Sequence, residues 1–296
     1  MPEDMIMAEL PPYRTWARGG ERPVLALHCS LAHAGAWSGL AEGLSGVTVT
    51  AIDQIGHGRA EAWDGQTDLH GAATAAAILM AERLGQGGPI DVMGHSFGGT
   101  VALRIALTRP DLVRSLTLVE PVIFAAARGQ PVYTHFRARH LEFARLILAG
   151  EREAALKMFH GDWGTGEGLD ALPERTRSYM FERIHLIEAQ NPVLLDDAAD
   201  LLAVGGLESI SVPTLLIDGA TSPPIIDAVH TALSQRLRHS RRLSVQGAGH
   251  MVSITHAQAV ANGVQAHLDA CKTAPNVALT QAGGQPPAPP GVFEPR

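Results

Sequence analysis

Six short apolar runs alternate with segments of helical period along this 296-residue chain, and that alternation limits its folds more than any other feature. The runs at 24–28, 47–53, 90–93, 115–120, 214–218 and 242–245 read as strands. They are rich in Val, Leu and Ile with little polar alternation, as expected of parallel strands covered on both faces. Helical patterns fall between them, at 34–44, 69–84, 97–108, 224–237 and 255–270. Parallel neighbours joined through helices require right-handed crossovers, so the expected architecture is a doubly wound, mostly parallel α/β sheet.

Residues 123–208 break the alternation. Phe136, His140, Phe143, Ile147, Ala154 and Met158, then Tyr179, Ile184, Ile187 and Leu201, repeat at helical spacing with no strand between them. An all-helical insertion after the strand ending at Glu120 would leave the sheet where its strands end and sit over that edge as a cap. The expected organisation is a first core part at 1–122, a cap at 123–208, a second core part at 209–271 and a Pro/Gly-rich tail at 272–296. The stretch Gly161-Asp162-Trp163-Gly164-Thr165-Gly166 reads as a loop between cap helices.

The third strand runs into Gly94-His95-Ser96-Phe97-Gly98 and then into a helix that stops at Arg109-Pro110. Turning sharply from strand to helix strains the backbone at the serine, and the two small residues let crowded segments approach it. The Ser96 hydroxyl would then stand exposed at the carboxyl end of the sheet. The helix start adds unpaired N–H groups and a positive dipole end, which favour a developing oxyanion.

A serine hydroxyl needs a base to take its proton. His250 fits, because Gln246-Gly247-Ala248-Gly249-His250-Met251 follows the last strand and a glycine-rich loop can carry an imidazole over the sheet; His256 is a weaker candidate. The first strand ends in Leu27-His28-Cys29-Ser30-Leu31 and the second in Asp53-Gln54-Ile55-Gly56-His57-Gly58-Arg59. Taken with Gly-x-Ser-x-Gly and the late Gly-x-Gly-His pattern, these segments over about 20–270 resemble the α/β-hydrolase superfamily. The resemblance implies an oxyanion hole from the backbone N–H of Phe97 and of Ser30, with Leu31 the alternative donor because Cys29 replaces the usual glycine. It also implies that Asp53 to Arg59 form a structural turn, with no catalytic role for His57.

The acid of such a triad usually follows the fifth of these strands in a Gly-x-x-Asp turn, where this chain reads Gly219-Ala220-Thr221-Ser222. Two carboxylates remain. Glu120 ends the strand after the nucleophile helix, where some relatives, notably one haloalkane dehalogenase group, also find their acid, and it is preferred over Asp218. Its task would be to hold the histidine tautomer.

Composition narrows the function. Two cysteines, Cys29 and Cys271, are too few for a disulfide framework and read as free thiols. A formal charge of −7 with scattered basic residues argues against nucleic acid. No apolar run nears the roughly 18 residues that a membrane span needs. The start Met1-Pro2-Glu3-Asp4 lacks the basic and apolar regions of a secretory signal, so a cytoplasmic location is expected. Fourteen histidines fall in different elements without metal-ligand spacing, so no metal site is expected and most should lie in loops or at the surface. No cofactor is implied. The leading function is a carboxylic-ester hydrolase working on a small-molecule ester, its pocket lined by cap aromatics between Phe124 and Phe181. A carbon–carbon or lactone hydrolase with the same triad is the alternative, and a non-catalytic ligand-binding protein the third.

Overall fold

Each apolar run forms a strand in the computed structural model of the chain, which describes residues 9–272. The acidic start and the proline-rich tail lie outside the described residues. The strands are β1 (Tyr13–Leu27), β2 (Val47–Ile52), β3 (Ile90–His95), β4 (Val113–Val119), β5 (Thr214–Gly219) and β6 (Ser240–Val245). They form one sheet in the order β2-β1-β3-β4-β5-β6. Every residue of β3 and β5 is buried, as the unalternating apolar sequence requires.

β1 is longer than the apolar run that marks it. Its first half, rich in Arg, Gly and other non-aliphatic residues, has no apolar run of its own, yet Tyr13 to Arg18 pair with Ile52 to Val47 in descending register. Its second half pairs with β2 in ascending, parallel register, from Arg22 opposite Val47 to Leu27 opposite Ile52. Pairing with β2, rather than burial, makes the first half a strand.

Helices cover both faces. α1 (Ser38–Glu42) and the late helices α11 (Val252–Thr255) and α12 (Ala257–Lys272) lie on one side, where Trp37, Leu40, Val260 and Leu268 pack with Val24 and Val49. α2 (Leu69–Gly85), α3 (Phe97–Thr108) and α10 (Pro224–Arg236) lie on the other, where Leu69, Val101, Leu103 and Ile226 pack with Leu25 and Leu118. Each large aliphatic side chain so buried contributes about 1.5–3 kcal/mol before entropy is subtracted. At the amino ends of the strands the buried Asp91 accepts hydrogen bonds from Arg22 (2.6 and 2.8 Å), Arg114 (3.0 Å) and Ser115 (2.6 Å), tying β1, β3 and β4 together.

Between β4 and β5 every regular element is helical: α4 (Pro131–Leu148), α5 (Arg152–Trp163), α6 (Glu174–Arg183), the single turns α7 (Leu186–Ala189), α8 (Asn191–Leu194) and α9 (Gly206–Ser209), and short 3-10 turns. This segment has a small core of its own, in which Phe143, Leu146, Leu156 and Ile184 meet Leu31 from the loop after β1. Two sequence expectations need correction. Trp163 is the last residue of α5, so the loop begins at Gly164 rather than Gly161. The histidines are mostly interior: eight, including His28, His57, His70 and His95, are no more than 6% exposed. Backbone acceptors and neighbouring side chains supply partners that composition does not reveal, as in the contact of His70 with Thr100 (3.1 Å).

Candidate active site

The order of the sheet reverses between β1 and β3, because β2 lies outside β1 while β4 to β6 follow β3 on the other side. Such a switch point opens a crevice at the carboxyl ends of the strands. Ser30 follows β1 there, and Ser96 follows β3.

Ser96 has φ 55° and ψ −117°, a conformation that costs about 1–3 kcal/mol and persists only where the surroundings impose it. Here its N–H donates to Val119 O (2.9 Å), and its carbonyl accepts from Gly99 (2.9 Å) and Thr100 (3.2 Å). The glycines are sterically required. A Cβ on Gly94 would lie 2.1 Å from Gly98 O, and one on Gly98 would lie 2.2 Å from Leu27 O. Leu31 and Glu120 also have positive φ, 60° and 50°, so the three strand ends around the crevice all turn through the left-handed region.

His250 reaches this turn from the loop after β6. Its Nε2 lies 3.1 Å from Ser96 Oγ and its Nδ1 lies 2.8 Å from Glu120 Oε2. Glu120 is fully buried, and its second oxygen accepts from Gly219 N–H (2.7 Å) and Ser222 Oγ (2.6 Å). The three residues thus form one chain of contacts, hydroxyl to imidazole to carboxylate. Gly219 also admits the His250 loop, since a Cβ there would lie 2.4 Å from Ala248 O.

Asp218 is placed elsewhere. Its Oδ1 lies 3.2 Å from His230 Nδ1 and 3.3 Å from the Arg242 guanidinium. Burial acts to raise its pKa, but these partners outweigh it and hold the carboxyl below its ordinary value. Ser30 lies on the crevice with its hydroxyl donating to Gln190 Oε1 (2.9 Å). Phe97 is the first residue of α3, where helix N–H groups lack intrahelical acceptors. Asp53 braces the turn after β2 by accepting from Ala34 N–H (2.8 Å) and Arg59 N–H (3.0 Å). His57 is buried against Ile55 O (3.0 Å), away from the hydroxyl-imidazole-carboxylate chain.

Three further side chains hold the histidine and its partner in place, and of these only Trp163, one of the cap aromatics, is expected near the pocket from the sequence. His95 donates from Nε2 to His250 O (2.9 Å), and its Nδ1 faces Ser253 Oγ (3.1 Å). Burial, then the neighbouring His250, pushes its pKa down to about 3, so it is a neutral prop for the loop. Trp163 packs edge-on against His250, ring centroids 4.8 Å apart. Ser222, standing where the usual acid is missing, hydrogen-bonds the carboxylate that His250 contacts.

A cavity of about 530 Å³ opens onto Ser96 and His250, walled mainly by apolar side chains of the helical segment, among them Phe124, Phe136, Phe143, Phe159 and Trp163. Of the other aromatics, Tyr179 accepts from Gly58 N–H (2.7 Å) and donates to Ala32 O (2.8 Å), a brace between segment and core, while Phe181 is exposed. Among the described residues no group of three or more His, Cys, Asp or Glu side chains could hold a metal ion. Nor is any described helix long and apolar enough to cross a membrane.

Comparison with known proteins gives the same fold. The family model of the alpha/beta hydrolase fold matches residues 22–257. Lipase LipV of Mycobacterium tuberculosis is 29% identical over 245 residues, covering 79% of this chain and 88% of its own. A pimeloyl acyl-carrier-protein methyl ester esterase of Neisseria meningitidis is 30% identical over 228 residues, covering 72% of this chain and 65% of its own. The crystal structure of a hydrolase from Pseudomonas aeruginosa superposes with a TM-score of 0.68 at 22% identity, covering 86% of this chain and 93% of that one.

Proposed function

The chain belongs to the alpha/beta hydrolase family, and from that premise we propose that it cleaves carboxylic esters through an acyl-enzyme on Ser96. The contact chain Ser96–His250–Glu120, at 3.1 and 2.8 Å, carries this reading. Glu120 accepts the Nδ1 proton of His250, which leaves the Nε2 lone pair facing the serine hydroxyl. As Ser96 Oγ attacks the ester carbonyl, His250 takes its proton. The tetrahedral oxyanion is held by the N–H groups of Phe97 and Ser30, which need no reorganisation because the helix start and the strand-end turn fix them. His250 then protonates the departing alkoxide, and the alcohol leaves. A water gives its proton to the same nitrogen and its oxygen to the acyl carbon, releasing the acid and restoring the serine.

The relatives support an ester as the scissile group, since one is named a lipase and another a methyl ester esterase. The cavity supports a substrate with an apolar portion. Its aromatic wall belongs to the helical segment, which we read as a cap over residues 123–208. Replacement Ser96→Ala is expected to lower kcat/KM on p-nitrophenyl butyrate by at least about a thousandfold and to abolish labelling by a fluorophosphonate. Full turnover by that variant would exclude the mechanism.

A further inference from the structure

Gln190, at the end of α7, is 2% exposed, lines the cavity beside Ser96 and His250, and is anchored through Oε1 to the hydroxyl of Ser30. Its Nε2 has no hydrogen-bond acceptor among the described residues. A buried amide donor without a partner is costly, and the cost disappears when an incoming group accepts from it. The neighbouring side chain supplies no partner. The adjacent Asn191 is engaged elsewhere, its Nδ2 donating to Glu188 (2.7 Å). The rest of the wall mixes apolar side chains with His135, Arg139, His140 and Asp162, of which Arg139 donates to Asp162 (2.6 Å) and His140 Nε2 lies 3.5 Å from Glu188 Oε1.

We propose that Gln190 is a specificity residue that donates from Nε2 to an oxygen on the acyl group of the substrate, which makes an alkoxy- or oxo-substituted acyl ester a better substrate than its all-carbon isostere. The inference rests on the ester reading above. Which side of the scissile bond is read follows from the anchor. His250 must face the leaving oxygen to protonate it, whereas Gln190 is tied to Ser30, on the oxyanion side, so the part within its reach is the acyl group. In this orientation of the amide Oε1 is occupied by the Ser30 hydroxyl, so the NH₂ group is the end left for the ligand.

The test compares p-nitrophenyl methoxyacetate with p-nitrophenyl butyrate, whose acyl chains differ by one oxygen for one methylene. The ratio of their kcat/KM values is measured in the wild type, Gln190→Met and Gln190→Glu, so intrinsic ester reactivity cancels between proteins. Both substitutions keep the length of the side chain; Gln190→Met removes the donor outright, and Gln190→Glu, when ionised, replaces the NH₂ group with an oxygen that only accepts. The ratio is expected to fall by about tenfold or more in each variant. In parallel, calorimetric binding of the two esters to Ser96→Ala, with Gln190 intact, is expected to favour the methoxyacetate. An unchanged ratio together with equal binding overturns the proposal and leaves the amide as a site for water only. Failure of the wild type to hydrolyse either ester would count against the ester reading, while the binding comparison would still decide the role of Gln190.

Discussion

Two buried carboxylates end adjacent strands of this sheet, Glu120 after β4 and Asp218 in β5, and only one of them faces the histidine. Asp218 lies within the strand, where side chains alternate between faces, so it shares the side of Leu216 and meets His230 of α10 and Arg242 of β6. Glu120 lies one residue beyond its strand. Its φ of 50° turns the chain out of the strand pattern, and its side chain runs beneath the end of β5 to Gly219, Ser222 and His250. A carboxylate at a strand end becomes an imidazole partner through the backbone turn that aims it, and nearness in sequence to the usual position does not suffice.

The contrast breaks most sharply with Glu120→Gln. The amide can present an N–H to His250 and favour the wrong tautomer, so kcat on p-nitrophenyl butyrate should fall by about 10³–10⁴-fold while the fold survives. A loss below about tenfold would mean that Glu120 does not orient the histidine. Ser222→Ala is expected to be milder. It removes one of the two donors to Glu120 Oε1 and leaves Gly219, so kcat should drop by about tenfold, in line with a single hydrogen bond to a charged group. Equal activity in that variant would make Ser222 a bystander.

Asp218→Asn should barely change kcat and should lower the melting temperature by a few degrees. Its pH dependence sharpens the point. The folded-state pKa of Asp218 lies below its ordinary value, so its contribution is complete above about pH 5 and is lost as pH falls through and below about 4. The stability gap between wild type and Asp218→Asn should therefore be constant from pH 8 to 5 in denaturant titrations and close in stronger acid. A gap that widened with acid would contradict the ion-paired state.

Strand positions were legible from the chain because a doubly covered parallel strand must be apolar throughout, and 90–93 or 214–218 can satisfy little else. The first half of β1 was not, since its strand character comes from pairing with β2 and leaves no apolar signature. Ser96 and His250 were legible because their settings are local: a strand-turn-helix with glycines at the clash points, and a glycine-rich loop after the last strand. Gln190, His95 and Ser222 were not, since each acts on a residue far away in sequence.

Residue types and spacing along the chain are enough for the layered α/β architecture, the strained serine turn and the absence of an acid at position 222, all of them matters of short-range pattern and steric size. The three-dimensional arrangement set Glu120 rather than Asp218 against His250, seated Ser222 on that carboxylate and hung Gln190 over the cavity. Those outcomes depend on the direction in which side chains leave neighbouring strands and on contacts across about a hundred residues or more, and no local pattern of residue types encodes them.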